Sequence, residues 1–115
     1  TAKAEEDETE KIYQLAEQQP EFPGGMAELL KYLQGSIKYP ADCRKEGIAG
    51  RVIVQFVVNK DGSISDAYVV KPVDPRLDAE ALRVVNAMPN WIPGKQKGKQ
   101  VRVRFTLPVT FRLQN

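Results

Sequence analysis

The chain has 115 residues, 42% of them hydrophobic, and carries a formal charge of +2 at neutral pH. That suits one small domain with one core and leaves too little chain for a second. With a single cysteine, Cys43, and no histidine, an internal disulfide, Ser-His and Cys-His nucleophile pairs and His-containing zinc sites are all excluded.

No Asp or Glu stands in an apolar segment that would tune it for acid–base work, so the chain reads as non-catalytic, with no cofactor. Cys43 reads as a core residue. No apolar run approaches the roughly 18 residues of a membrane span, and no basic-then-apolar signal segment opens the sequence. Because it begins at Thr1 and not at Met, it reads as a piece of a longer protein. The net charge hides a split: residues 1–40 hold eight acids and four bases, residues 41–115 seven acids and thirteen bases. The basic side chains are scattered except for Lys95, Lys97 and Lys99 followed by Arg102 and Arg104. No stacking aromatic is interleaved with that patch, which argues against a nucleic-acid partner.

Residues 1–22 form an acidic segment expected to be a flexible linker or arm, and residues 23–115 the folded domain. Within the first part, IYQLAEQQPEF has too few apolar residues to assign as strand or loose arm. Met26, Leu29, Leu30, Leu33 and Ile37 recur at helical spacing and predict an amphipathic helix over 25–36, with Gly35 near its end. Pro40 and Gly47 bracket a helix of little more than two turns. Val52, Val54, Phe56 and Val58 alternate on one face of a strand, Lys60-Asp61-Gly62 supplies a turn, and a second strand follows. Its apolar phase changes between Ile64 and Ala67, which predicts a bulge near Ser65 and Asp66.

Asp74-Pro75 reads as an N-cap with Pro at the first helical position, and Leu77, Ala81, Val84, Val85 and Met88 form the buried stripe of a helix that Pro89 ends. Trp91 and Ile92 are expected to close the bottom of the core. After the loop PGKQKGK, every odd position from Val101 to Leu113 is apolar and every even one is polar or Pro, a long strand signal. The whole predicts a two-layer α+β domain: a three-stranded antiparallel sheet in the order second, first, third, with helices packed on one face. The last strand then lies on an edge, where Pro108 can sit only if even-numbered residues turn their backbone groups outward. Such an edge is either blunted by Arg102, Arg104, Arg112 and Pro108 or kept open to receive a strand from a partner.

Tyr39-Pro40, the Gly50 that opens the hairpin, VQFVVNKDGSI, the helix LDAEALRVVNAMPNW, PGK and the closing VRVRFTLPVTF together resemble the C-terminal domain of TonB, the periplasmic energy transducer of Gram-negative bacteria. The likeness spans roughly residues 23–113, and FPGG and NKDGSI are most similar to TonB proteins of the Bacteroidetes. The resemblance implies a domain that grips the TonB box of outer-membrane transporters by strand addition to its last strand. It also implies an inner-membrane anchor outside this chain, working with ExbB and ExbD on the proton gradient. By position, Val101, Arg102, Val103, Arg104, Phe105 and Thr106 are the expected receiving backbone, with Tyr39 and Pro40 close to the docked peptide. Ser36 stands where the best-known members carry a Gln three residues before Tyr-Pro; it is a candidate by position only, without that side-chain contact. The segment from Ile12 to Ile37 exceeds the shorter enterobacterial pattern and is expected to compete with a box peptide if it lies along the open edge. A strand-swapped homodimer is a further expectation, and a TonB-like tail of a membrane signalling receptor is the alternative function.

Overall fold

A computed structural model describes residues 11–113; the acidic stretch 1–10 of the expected linker lies outside the described residues. The chain order is β1 (Ile12–Tyr13), α1 (Met26–Ser36), α2 (Ala41–Glu46), β2 (Gly50–Val58), β3 (Ile64–Lys71), α3 (Pro75–Asn86), β4 (Gly94–Gln96) and β5 (Lys99–Phe111).

The α+β class is as expected, but the sheet is not three-stranded and antiparallel. It has five strands in mixed arrangement, ordered β1-β5-β2-β3, with β4 paired to the opening of β5. The hairpin β2–β3 and the return of β5 against β2 keep the predicted order of those three strands. The two additions are short: β1 runs parallel to β5 with Ile12 opposite Arg102 and Tyr13 opposite Val103, and β4 pairs antiparallel through Gly94–Val101, Lys95–Gln100 and Gln96–Lys99. Two or three residues leave no period-two signal, which is why the sequence pattern does not show them.

Local chemistry accounts for the element ends. Asp74 caps α3 by accepting the Arg76 N–H at 2.9 Å, with Pro75 at the first helical position. Gly47 takes a left-handed conformation (φ 72°) and closes α2. In the β2–β3 turn, Gly62 has φ 89°, and a Cβ there would fall 2.0 Å from the Trp91 carbonyl oxygen. The Trp91 N–H donates to the Gly62 carbonyl at 2.8 Å, so the turn is stitched to the segment after α3. The bulge predicted near Ser65 and Asp66 is present: between the pairs Gln55–Tyr68 and Val57–Ser65, β3 carries one extra residue, and Asp66 has φ 53°.

One core lies between the sheet and the helices. Val52, Val54, Phe56 and Val58 of β2 and Leu107, Val109 and Phe111 of β5 meet Leu29 and Leu33 of α1, Cys43 of α2, and Leu77, Ala81, Val84 and Val85 of α3. Trp91 is buried at the bottom of this cluster, its ring crossing Phe56, Phe105 and Phe22 at centroid distances of 5.4, 5.0 and 5.7 Å. Cys43 is enclosed, and burial pushes its thiol up from the ordinary range, the reverse of what a reactive thiolate needs.

Candidate strand-receiving edge

β5 has two hydrogen-bonding sides. One side faces β2 in unbroken register from Val103–Val58 to Phe111–Gly50. Pro108 stands within that ladder opposite Ile53, and a residue with no N–H fits there only where its donor slot points away from β2. By period-two parity the backbone groups of Arg102, Arg104, Thr106, Pro108 and Thr110 face the outer side. The side chains alternate as predicted: Val103, Leu107, Val109 and Phe111 are buried while Thr106, Pro108 and Thr110 are exposed.

The outer side is divided. Its first part is occupied, because Ile12 and Tyr13 lie along Arg102 and Val103. The arm that follows is tied to β4. Gln18 and Lys95 exchange backbone hydrogen bonds of 3.0 and 2.9 Å, Glu21 and Ile92 do so at 2.9 and 2.8 Å, and the Glu17 side chain accepts the Lys97 N–H at 2.8 Å. Ala16 and Phe22 are buried beneath this strap. Gly94 is required where the arm passes: a Cβ would fall 2.8 Å from the Gln18 carbonyl and 2.7 Å from a Val103 methyl. Beyond Val103, among the described residues, no strand pairs with the outer side of β5.

Next to this unpaired stretch is an open groove of about 1000 Å³. Leu30, Leu33 and Ile37 form its apolar wall, Tyr39 its end, and Pro108 and Thr110 its strand side. Arg44 and Arg112 also line it and no carboxylate does, so its potential is positive. Leu30 is half exposed there. The wall is held rigidly from behind. Glu80 of α3 accepts the Lys38 N–H at 2.7 Å and both Arg83 Nε and Nη2 at 2.7 Å. The Arg83 bonds hold the Glu80 carboxyl below its usual range, and Arg83 in turn donates to the Ser36 carbonyl at 2.9 Å.

The expected site residues thus fall in two places. Val101 pairs with Gly94, Arg102 and Val103 pair with β1, and Arg104 and Thr106 lie where the outer side becomes unpaired. Phe105 turns its ring inward against Trp91 and Phe56. Tyr39 is at the far end of the strand: its ring meets Phe111 edge-on at 5.6 Å, its hydroxyl donates to the Ile48 carbonyl, and the Arg44 guanidinium lies over it at 5.5 Å. Pro40 caps α2 and Ser36 ends α1, its carbonyl held by Arg83. Sequence reasoning missed the groove wall. The signal was present in the stripe of α1 and of Ile37 just past its end, which is wider than the core uses: Leu29 and Leu33 are buried, whereas Met26 and Leu30 are not.

Residues 36–113 match the family model for the C-terminal region of Gram-negative bacterial TonB protein. The TonB proteins of two Helicobacter pylori strains are each 30% identical over 104 residues, covering 86% of this chain and 35% and 36% of their own lengths. The chain therefore spans about a third of the length of those relatives. Two solution structures of the H. pylori TonB C-terminal domain superpose with TM-scores of 0.60 and 0.54. The first, at 24% identity, covers 77% of this chain and 94% of that structure; the second, at 28%, covers 81% and 88%. The Pseudomonas aeruginosa TonB C-terminal domain is 31% identical with a TM-score of 0.53, over 68% of this chain and 79% of that one. On the family match and the fold together, the chain belongs to the TonB C-terminal domain family.

Proposed function

We propose that this domain is the non-catalytic, periplasmic end of an energy transducer, and that it binds the TonB box of an outer-membrane transporter as an added strand. The observation that carries this reading is the outer side of β5 beyond the Tyr13–Val103 pair, where no strand of the described residues lies and which runs beside an apolar groove. Main-chain bonds along that side supply affinity, and the groove supplies selectivity for the side chains of the added strand. Leu30, Leu33 and Ile37 suit apolar side chains on its inner face, and Arg44 and Arg112 favour partners without excess positive charge.

In this reading Val101–Thr106 and the Tyr39-Pro40 segment are parts of one surface, with the groove residues joining them along the strand. ExbB, ExbD and the inner-membrane anchor belong to portions of the protein outside residues 1–115. The experiment is an amide NMR titration of the monomeric chain with peptides from the N-terminal plug segments of outer-membrane transporters of the same organism. Shifts concentrated between Arg104 and Phe111 and around Tyr39 are expected. A silent titration with every plug peptide removes the reading.

A further inference from the structure

The arm changes character at residue 16. Ile12 and Tyr13 are only half-buried, contribute nothing to the core cluster, and are followed by a bend at Gln14 and Leu15, where Leu15 is 79% exposed. From Ala16 onward the arm is fixed by two pairs of backbone bonds to β4 and the residues before it, by Glu17 against Gln96 and Lys97, and by Phe22 edge-on to Trp91. A two-residue parallel strand beside a firmly strapped segment is the least secure paired element of the described chain, the kind that opens without the rest unfolding. It nevertheless sits on Arg102 and Val103, in the middle of the expected receiving backbone.

Resting on the reading of β5 as a receiving edge, we propose that residues 11–15 are a guard strand: an intramolecular occupant that a partner strand must displace to pair along the full outer side of β5. With the guard in place, the parallel pairing of Tyr13 with Val103 takes up the Arg104 N–H, and an incoming strand reaches only from the Arg104 carbonyl to Thr110. With it released about the Gln14–Leu15 bend, Arg102 and the Arg104 N–H are added, while the strap at residues 16–22 keeps the arm attached. Apparent affinity is then the intrinsic affinity reduced by the fraction of molecules with the guard open.

The test uses the full chain with Tyr13→Pro. By the parity of β5 the outward carbonyl of Arg102 faces the Tyr13 N–H, which proline lacks; Tyr13 is outside the core, so the domain still folds. Amide exchange at Arg102 and Arg104 is expected to accelerate by about tenfold, with Val103 and Phe105 unchanged. Unchanged exchange at Arg102 overturns the proposal. A plug-segment peptide is expected to bind Tyr13→Pro about three- to tenfold more tightly than the parent chain. Equal or weaker binding overturns the guard while leaving the transporter reading intact. If no plug peptide binds either chain, that reading falls and sedimentation decides the guard: an uncovered edge pairs with a second copy, so Tyr13→Pro must dimerise at lower concentration than the parent. Equal or weaker self-association overturns it.

Discussion

The two edges of this sheet solve the same problem in opposite ways. β3 is eight residues long, and its register against β2 slips twice, once between Ile53 and Val54 and again between Gln55 and Val57. Each slip bends and twists the strand, so its outer groups cannot line up with another chain over any useful length. β5 runs thirteen residues, and its ladder to β2 is unbroken, so its outer groups are straight, regular and pairable. Among the described residues it is closed by separate parts: β1 over Arg102 and Val103, and beyond them only Pro108, exposed side chains and the groove. An edge closed by its own geometry stays closed, whereas an edge closed by a removable cover can be used.

Four tests, using five substitutions, break or sharpen that contrast. The largest effect is expected from Phe22→Ala, which removes the ring anchoring the arm against Trp91. As a large-to-small change at a buried site it should cost about 3 kcal/mol in urea unfolding, while Tyr68→Ala on the exposed β3 edge should cost less than about 1 kcal/mol. A loss no greater than that of Tyr68→Ala would show that the arm is not part of the folded unit. Second, Arg104→Pro removes an outward donor without touching the ladder to β2. Plug-peptide binding should fall at least about tenfold, or about 1.4 kcal/mol, with little change in melting temperature; undiminished affinity in a folded variant would eliminate strand addition.

The third reaches neither edge and serves as a control. Hydrogen bonds and charge from Arg76 hold the Asp74 carboxyl down to about 2 from 3.8. A depressed folded-state value means that the ionised form is what stabilises the fold. Its contribution is complete above about pH 5 and is lost as pH falls through 3.8 toward 2. The melting temperature of Asp74→Asn should therefore fall less steeply over that window than that of the parent, and identical slopes would assign acid sensitivity elsewhere. The smallest effect is expected from Asp66→Gly, which frees the bulge residue at φ 53° from its side-chain strain. A gain of less than about 1 kcal/mol in thermal unfolding, with no effect on peptide binding, keeps the β3 edge out of function. A change in binding would contradict that.

Much of this was legible in the residues. The long alternation after Lys99, the Asp74-Pro75 cap, the Gly62 turn and the phase change at Asp66 each rest on chemistry local to a few positions, and each element formed where those positions put it. Helix α1 was found by its spacing, but not that its stripe serves two surfaces, since periodicity shows that Leu30 shares a face with Leu33 and not what stands opposite. β1 and β4 were invisible for another reason. Their strand character comes from what they pair with: Lys95 and Gln96 are polar, and Ile12-Tyr13 is too short to alternate. The expected competition of the Ile12–Ile37 segment for the edge came from its length in excess of the family pattern. Its register against Arg102 and the strap at Gln18 and Glu21 are tertiary facts that no local signal encodes.

The strap also sets an order in time. The bonds of Glu17 to Gln96 and Lys97 join residues 79 and 80 positions apart, and those of Gln18 to Lys95 and Glu21 to Ile92 span comparable separations. Closing so long a loop has its entropic cost before the contacts return anything, so these are slow contacts that depend on partners already in place. The β2–β3 hairpin and α3 can form from near neighbours, and β5 can add to β2 once the chain has returned. The arm has no surface to dock on until β4 and β5 exist. During synthesis it is the first part of the described chain to emerge and the last to find its place, so the outer side of β5 at Arg102 and Val103 is bare for the interval between.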